Sequence, residues 1–314
     1  MSAVAVIAWT GLATTRRAPA TAALAHPPVL RNSATVPGTV EVTITAAAAR
    51  RALKPGVPTE VFAYNGSSPG PTLELTEGDR VIIHFRNELA EATTVHWHGL
   101  HLPANQDGSP FDPVPAGGRR DYTFTVPRGT AGTYWYHPHL HHRTGYQIAK
   151  GLVGAIIVRA PDDPLSQIKE KVLILADQRL TPDGAIDLPD RRSVNGRIDD
   201  ENGREGDVFF VNGQVMPTIS IRPNEVQRWR IINASAARVY RLAIPKQTFL
   251  HVGSDGGLFE TAVTQHEIVV ANGERVELLV RGTGAPGSRT MLQSLPYDRY
   301  IPQTRPKDWS RVID

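Results

Sequence analysis

The chain of 314 residues is long enough for two domains, and 40% of its residues are hydrophobic, which suits a globular protein with real cores. It contains no cysteine, so disulfides, zinc–thiolate sites, cysteine nucleophiles and iron–sulfur clusters are excluded. The net charge of +3 gives little support to nucleic-acid binding, and no apolar run is long enough to predict a membrane span.

The first segment, MSAVAVIAWTGLATTRRAPATAALA, is rich in alanine and threonine and poor in acidic residues. A short apolar patch followed by small residues is typical of the end of a secretory signal, although no basic residue precedes the patch. We therefore predict that residues 1–37 are an N-terminal arm or a signal remnant, and that the protein is periplasmic or secreted. The alternative is a disordered arm.

Alternation of apolar and polar residues dominates the chain that follows. The stretches TVEVTI, PTLELTEGDRVIIHF and RDYTFTV predict strands, and NGSSPGP and PAGGRR between them have the composition of turns. No stretch predicts a long amphipathic helix. Together with 25 prolines and 27 glycines spread along the sequence, this pattern indicates an all-β protein built as a sandwich.

Histidine is concentrated in two short stretches. Seven of the 11 histidines fall in VHWHGLHLP and WYHPHLHH. Residues two apart on a strand share one face, so His96 and His98 are predicted to project together, and His137 and His139 to do so on a second strand. One such pair is a weak signal, but two pairs with flanking aromatic residues predict a metal site. Imidazoles suit copper, zinc, iron or nickel.

The chain also contains an internal repeat. PTLELTEGDRVIIHFRN and PTISIRPNEVQRWRIIN match at an offset of 146 residues, which indicates two copies of one unit. We predict two sandwich domains, 38–160 and 161–296, with the boundary near APDDPLSQIKEK and a linker at 297–314.

The second copy lacks the histidines of the first. The same offset places Leu242 and Ile244, within one residue, opposite His96 and His98. Packing of the unit alone therefore does not require imidazoles at these positions.

Several motifs resemble those of one family. HWHGL, the pair Asp107-Gly108 and GTYWYHPHLHHRTGYQIAKGLVGAIIV are similar to the first copper motifs of multicopper oxidases, such as laccases, cuprous oxidases and spore-coat oxidases. VNGQVMPTISI, RWRIINAS and SDGG extend the resemblance from about Thr39 to Pro296. It implies two tandem cupredoxin-like Greek-key domains. It also implies one-electron oxidation of phenols or metal ions, coupled to reduction of O₂ to water.

The resemblance implies roles for individual residues. His96 would bind the type 2 copper of a trinuclear cluster, and His98, His137 and His139 would bind the type 3 pair. Asp107 stands where the family has an acidic residue that helps to protonate reduced oxygen. No direct copper ligation is expected for His84 in the strand VIIHF, or for the remaining histidines of the two motifs and of the second domain, namely His101, His141, His142, His251 and His266.

Half of the family's copper site is missing from this sequence. The third-domain motifs HxxHxH and HCHxxxH do not occur, and without cysteine no thiolate can bind a type 1 copper. We therefore expect a truncated multicopper oxidase that is inactive as given. Its expected partners are a missing third cupredoxin domain, or itself by self-association, with O₂ and a small reducing substrate in the full-length family. The alternative is a non-catalytic cupredoxin scaffold or copper-binding protein.

The missing domain would cover apolar surface around the histidines. Parts of HWHGLHLP and GLVGAIIV are expected to belong to that surface and to be exposed in this chain.

Overall fold

The computed structural model describes residues 2–9, 22–54, 56–188 and 192–298. Within these ranges the chain forms 19 strands and two short helices, which confirms the predicted all-β class. Residues 1 and 10–21 of the predicted arm and residues 299–314 of the predicted linker lie outside the described ranges. No helix among the described residues is long and apolar enough to cross a membrane.

The strands form two sandwiches in chain order. Strand β1 (Ser2–Trp9) comes first. The first sandwich contains β2 (Thr39–Lys54), β3 (Val57–Tyr64), β4 (Leu73–Thr76), β5 (Arg80–Asn87), β6 (His96–His98), β7 (Arg119–Thr125), β8 (Gly132–His137), α1 (Thr144–Ala149) and β9 (Gly154–Arg159). The second contains β10 (Lys169–Gln178), α2 (Val194–Asn202), β11 (Val208–Val211), β12 (Thr218–Ile221), β13 (Val226–Asn233), β14 (Tyr240–Ala243), β15 (Phe249–Ser254), β16 (Gly257–Gln265), β17 (Glu267–Val270), β18 (Arg275–Arg281) and β19 (Arg289–Leu295).

The first sandwich packs a sheet of order β3-β2-β5-β7 against one of order β4-β9-β8-β6. On β5 the alternation read from the sequence is observed, because Val81, Ile83 and Phe85 are buried and His84 lies on the outer face. The ring of Trp97 from the opposite sheet contacts Tyr122 in this core, at 5.3 Å between centroids. Side chains from both sheets therefore enclose one apolar core, and each large side chain buried in it contributes about 1.5–3 kcal/mol.

The second sandwich has sheets of order β11-β10-β13-β18-β15-β16 and β12-β1-β19-β14-β17. Strand β1 runs parallel to β12 and antiparallel to β19. In the first sandwich β9 has the equivalent position, because it runs parallel to β4 and antiparallel to β8. Part of the segment predicted to be an arm or a signal remnant is thus a strand of the second sandwich.

The internal repeat is visible in the backbone pairing. Strand β2 pairs parallel with β5, and β10 pairs parallel with β13 in the same way. Asn87 and Asn233, which match at the predicted offset, form equivalent hydrogen bonds in the two copies. Each side chain accepts a hydrogen bond from the N–H two residues later and donates to a loop carbonyl, Val114 O in the first copy and Val270 O in the second.

The alignment of the histidines with the second copy needs a shift of one residue. Leu242 and Ile244 are both buried in the second core, whereas on β6 the buried residue is Trp97, between the two histidines. Ala243 therefore faces outward as His96 does. The one-residue slip reverses the faces, because successive side chains on a strand point to opposite sides. The second copy still has no imidazole at this place.

A buried network of charges joins the two sandwiches. Its buried part pairs Arg228 and Arg230 with Asp163, Glu170 and Glu277, and the partly exposed Arg159 extends it from Glu170 to Glu74. The hydroxyl of Thr133 on β8 donates to Glu277 at 2.6 Å, which carries the network across the domain boundary.

Candidate metal centre

The two histidine pairs lie on neighbouring segments of one sheet. His96 and His98 are the first and last residues of β6, which pairs antiparallel with β8 so that His96 lies opposite His137. Trp97 between them is fully buried on the other side. His139 follows two residues after the end of β8. The prediction that His96 and His98 share one face is confirmed.

The four imidazoles form one group with His96 at its centre. The ring centroid of His96 lies 5.7 Å from that of His98, 5.4 Å from that of His137 and 5.1 Å from that of His139. One ring nitrogen from each of His96, His98 and His137 lies within 4.8 Å of the others. The structure thus brings together all four histidines that the sequence singled out.

Hydrogen bonds to carbonyl groups orient two of the rings. His96 Nδ1 donates to Asp107 O at 2.9 Å, and His137 Nδ1 donates to Pro138 O at 2.8 Å. Because a carbonyl oxygen only accepts, the hydrogen sits on Nδ1 and the Nε2 lone pair of each ring is left for a ligand. Without a metal ion, His98 Nδ1 donates to this Nε2 lone pair of His137 at 3.1 Å, so the Nδ1 edge of His98 faces the same point.

Asp107 is placed beside His96 by a tight turn. Its Oδ2 lies 3.3 Å from His96 Nδ1, and its side chain is 30% exposed. The next residue, Gly108, has φ +77, and a Cβ there would lie only 1.7 Å from the carbonyl oxygen of Val95. Only glycine permits this approach of the turn to β6, so the Asp107-Gly108 pair is a geometric requirement of the site.

The surroundings of the group keep two of its imidazoles, His98 and His137, neutral. Burial, and to a smaller extent the guanidinium of Arg275, lowers the pKa of His98 to about 4. Burial also holds the pKa of His137 well below its ordinary value. Both rings are therefore uncharged near neutral pH, and the neutral ring is the form that binds a metal ion.

An unpartnered nitrogen of His139 also indicates that the four imidazoles fit a metal ion. His139 Nδ1 is buried and has no hydrogen-bond partner among the described residues, although the backbone N–H of His139 donates to Thr94 Oγ1 at 2.6 Å. A buried ring nitrogen without a partner is costly, and a metal ion would satisfy it. Trp135 lies against the group, with ring centroids 5.0 Å from His98 and 4.1 Å from His137. The sequence indicated Trp135 only as a flanking aromatic residue, and it gave no signal for Thr94.

The other histidines lie apart from this group. His251 in the second domain packs on Phe259, with ring centroids 4.7 Å apart, and its Nε2 donates to Gly253 O on its own strand at 3.0 Å. The ring of His141 contacts Phe111 at 5.3 Å. The exposed histidines among the described residues are His26, His101, His141, His142 and His266.

The expectation that GLVGAIIV is exposed is wrong. Leu152 and Val153 are 5% exposed or less, and β9 lies inside its sheet between β4 and β8. A continuous apolar run is typical of a strand buried on both faces, and this one packs between the two sandwiches as well as within the first. Exposed large apolar side chains lie elsewhere and include Phe111 and, in the second domain, Leu250, Leu258, Phe259, Val263 and Val269.

His84 is a structural histidine on the outer face of the first sandwich. Its Nδ1 lies 2.8 Å from Asp121 Oδ1 and its Nε2 lies 3.0 Å from Glu41 Oε1, so it links three neighbouring strands. Hydrogen bonds to Glu41, and then to Asp121, raise its pKa above the ordinary value. These contacts fit the sequence-based interpretation of His84 as a satisfied strand histidine.

The protonation of His84 should make the stability of the protein depend on pH. A raised folded-state pKa means that the stabilisation is present below the unfolded pKa and is lost as pH rises through the folded one. In the unaltered chain the urea midpoint should fall as pH rises above about 6.5, the ordinary pKa of histidine, and His84→Gln should remove this fall. The effect should be less than about 1 kcal/mol because the side chain is more than a third exposed. His266→Gln, which changes an exposed histidine, is the control. An unchanged pH profile in His84→Gln would contradict this role.

Two family models for multicopper oxidases match the chain, one over residues 45–163 and the other over residues 167–303. Together they cover most of its length. The chain belongs to the multicopper oxidase family.

Several multicopper oxidases and laccases are similar to it in sequence. The multicopper oxidase mco of Staphylococcus haemolyticus is 32% identical over 235 residues, which cover 74% of this chain and 51% of the relative. Laccase-1 of Cryptococcus neoformans is 32% identical over 253 residues, which cover 72% of this chain and 39% of the relative. The chain thus spans about half the length, or less, of these curated relatives.

Solved structures of multicopper oxidases share the fold. A multicopper oxidase from Campylobacter jejuni, described as a metallo-oxidase, superposes with a TM-score of 0.81 and 37% identity, covering 91% of this chain and 59% of that one. A multicopper oxidase from Pediococcus acidilactici gives a TM-score of 0.79 and 31% identity, covering 90% and 60%. The predicted tandem cupredoxin-like sandwiches are confirmed.

Proposed function

We propose that this chain forms the first two domains of a laccase-like multicopper oxidase and supplies half of a trinuclear copper site. The observation that carries the proposal is the group of four imidazoles around His96, in which one ring nitrogen each of His96, His98 and His137 lies within 4.8 Å of the others. His96 would hold the type 2 ion, and His98, His137 and His139 the type 3 pair. Copper held there would supply electron transfer from a phenol or a metal ion to O₂, which is reduced to water.

The chain's own residues would hold the ligand rings in place. The carbonyls of Asp107 and Pro138 fix the Nδ1–H groups of His96 and His137 and so aim the Nε2 lone pairs at the metal. The indole N–H of Trp97 donates to Gln106 O at 3.0 Å, which ties β6 to the turn that carries Asp107. Ligand and turn therefore move as one unit.

Asp107 is proposed to hold a proton for the reduction of oxygen. Its carboxylate is partly exposed, so it can exchange protons with water, and its Oδ2 lies 3.3 Å from the His96 ring. No other carboxylate makes a direct contact with the four imidazoles in the described part of the chain.

The rest of the site is proposed to come from a third cupredoxin domain with the motifs HxxHxH and HCHxxxH. This chain has no cysteine, so it cannot form the thiolate bond of a type 1 copper, which receives electrons from the reducing substrate. Relatives about twice its length are consistent with such a domain. The chain alone is therefore proposed to bind copper without oxidase activity.

A non-catalytic scaffold built on the same sandwiches is the alternative function, and copper binding separates the two. Titration with Cu(II), followed by metal analysis and the visible spectrum, should show bound copper without an intense blue band, because that band needs a copper–thiolate bond. Failure to retain copper would favour the scaffold. A strong blue band would show that the site differs from the one proposed.

A further inference from the structure

The second domain reaches the histidine group although it contributes none of the four imidazoles. The turn between β17 and β18 lies against the ring of His98. Gly273 in this turn has φ +84, and a Cβ built on it would lie 3.4 Å from Cε1 and 3.8 Å from Nε2 of His98. The backbone of the second domain therefore backs the edge of His98 that points away from His137.

Arg275, the first residue of β18, fixes this turn against the first domain. Its side chain is 4% exposed and ion-paired with Asp255 at 2.9 Å. Its guanidinium donates to the carbonyl of Gly273 at 3.2 Å and to that of Thr133, on β8, at 3.1 Å. One buried side chain thus connects two turns of the second domain to the strand that ends at His137.

The same guanidinium lies directly against the residue that follows His98. Gly99 has φ +95, and a Cβ at this position would lie 2.4 Å from Nη2 of Arg275. The arginine therefore contacts the backbone on one side of His98, while Gly273 contacts the ring itself and Trp135 covers the ring at 5.0 Å between centroids. These neighbours restrict rotation of the His98 ring away from His137.

We propose that Arg275 is a positioning residue through which the second domain holds the imidazole of His98 in the orientation that turns its Nδ1 toward His137 Nε2, at the centre of the group. The proposal rests on the copper half-site proposed above. Arginine suits this role because its planar fork can donate to several carbonyl groups at once, which a lysine cannot do in the same geometry. It acts through His98 and would not itself touch the metal.

The test compares Arg275→Met with Arg275→Lys in the 314-residue chain. Arg241→Met is the matched control, because Arg241 forms an exposed ion pair with Glu267 in the same domain. In the copper-free protein, imidazole ¹H–¹⁵N spectra should show that Arg275→Met shifts the His98 ring signals and leaves those of His84 in place. Arg275→Lys should restore part of the change, and Arg241→Met should have no effect.

Copper binding supplies the second readout. Arg275→Met should weaken Cu(II) binding by about tenfold, in the range observed for residues that orient metal ligands. In a His98→Ala background it should cause no further loss, because its effect passes through His98. An equal loss with and without His98, or unmoved His98 signals, would overturn the proposal. If the unaltered chain retains no copper, the half-site fails, and the ring spectra still decide the positioning role.

A milder variant covers the event that Arg275→Met does not fold. Asp255→Asn removes the ionic partner of Arg275 but keeps the backbone carbonyl of residue 255 that also accepts from it. It should shift the His98 signals in the same direction and by less. Unmoved His98 signals in a folded Asp255→Asn variant would contradict the proposal.

Discussion

Replacing His96 and His98 together by alanine is expected to abolish most of the copper binding of this chain. His96 is the centre of the imidazole group, and both residues belong to the trio whose nitrogens lie within 4.8 Å of one another. Only His137 and His139 would remain of the four rings. The loss of two ligands should weaken binding by more than the roughly 10–100-fold observed for changes outside the ligand set.

The matched control is His251→Ala with His266→Ala in the second domain. His251 packs on Phe259 and His266 is exposed, and neither ring contacts the group around His96. Copper content after dialysis, measured for both double variants, decides the matter. Equal copper loss in the two would mean that the second domain also binds the metal, and the assignment of the site to the first domain would then be wrong.

Replacing Glu277 by alanine should cause the largest loss of stability. Glu277 is fully buried, and its two oxygens accept from Arg228 at 2.7 Å and from Arg230 and Thr133 at 2.6 Å each. Removal of this carboxylate would leave two buried guanidinium groups with only part of their counter-charge. Breaking one partner out of a buried ion network costs about 3–5 kcal/mol.

Glu267→Ala is the control for this experiment. Glu267 also accepts two hydrogen bonds from one arginine, Arg241, but both side chains are about 40% exposed. Exposed pairs contribute about 0–1 kcal/mol, so urea unfolding should separate the two variants clearly. A Glu277→Ala variant as stable as Glu267→Ala would show that the network does not hold the sandwiches together.

Sequence patterns with a short period were sufficient to predict much of the fold and of the site. The alternation around His84 predicted β5, and the offset of 146 residues predicted that β5 and β13 are equivalent strands of two copies. The two His-x-His pairs predicted that the rings meet. Each of these is a local regularity, because strand geometry alone sends residues two apart to the same face.

What the sequence could not show depends on contacts between distant segments. Arg275 reaches Thr133 across 142 positions, and no periodicity indicates such a pair. The strand at Ser2–Trp9 has the composition of a signal segment, and only its pairing with β12 and β19 distinguishes it from one. The apolar run at Gly154–Arg159 is compatible with an exposed patch or with a buried strand, and its place in the sheet decides between them.

Oxygen uptake tests the central claim, that this chain holds half of a copper site, most directly. The chain and a separately produced cupredoxin domain with the motifs HxxHxH and HCHxxxH would be loaded with copper and supplied with a simple phenol, together and apart. The account predicts uptake only from the two together, and none when the chain carries the His96 and His98 substitutions. Oxygen uptake by the 314-residue chain alone would contradict it.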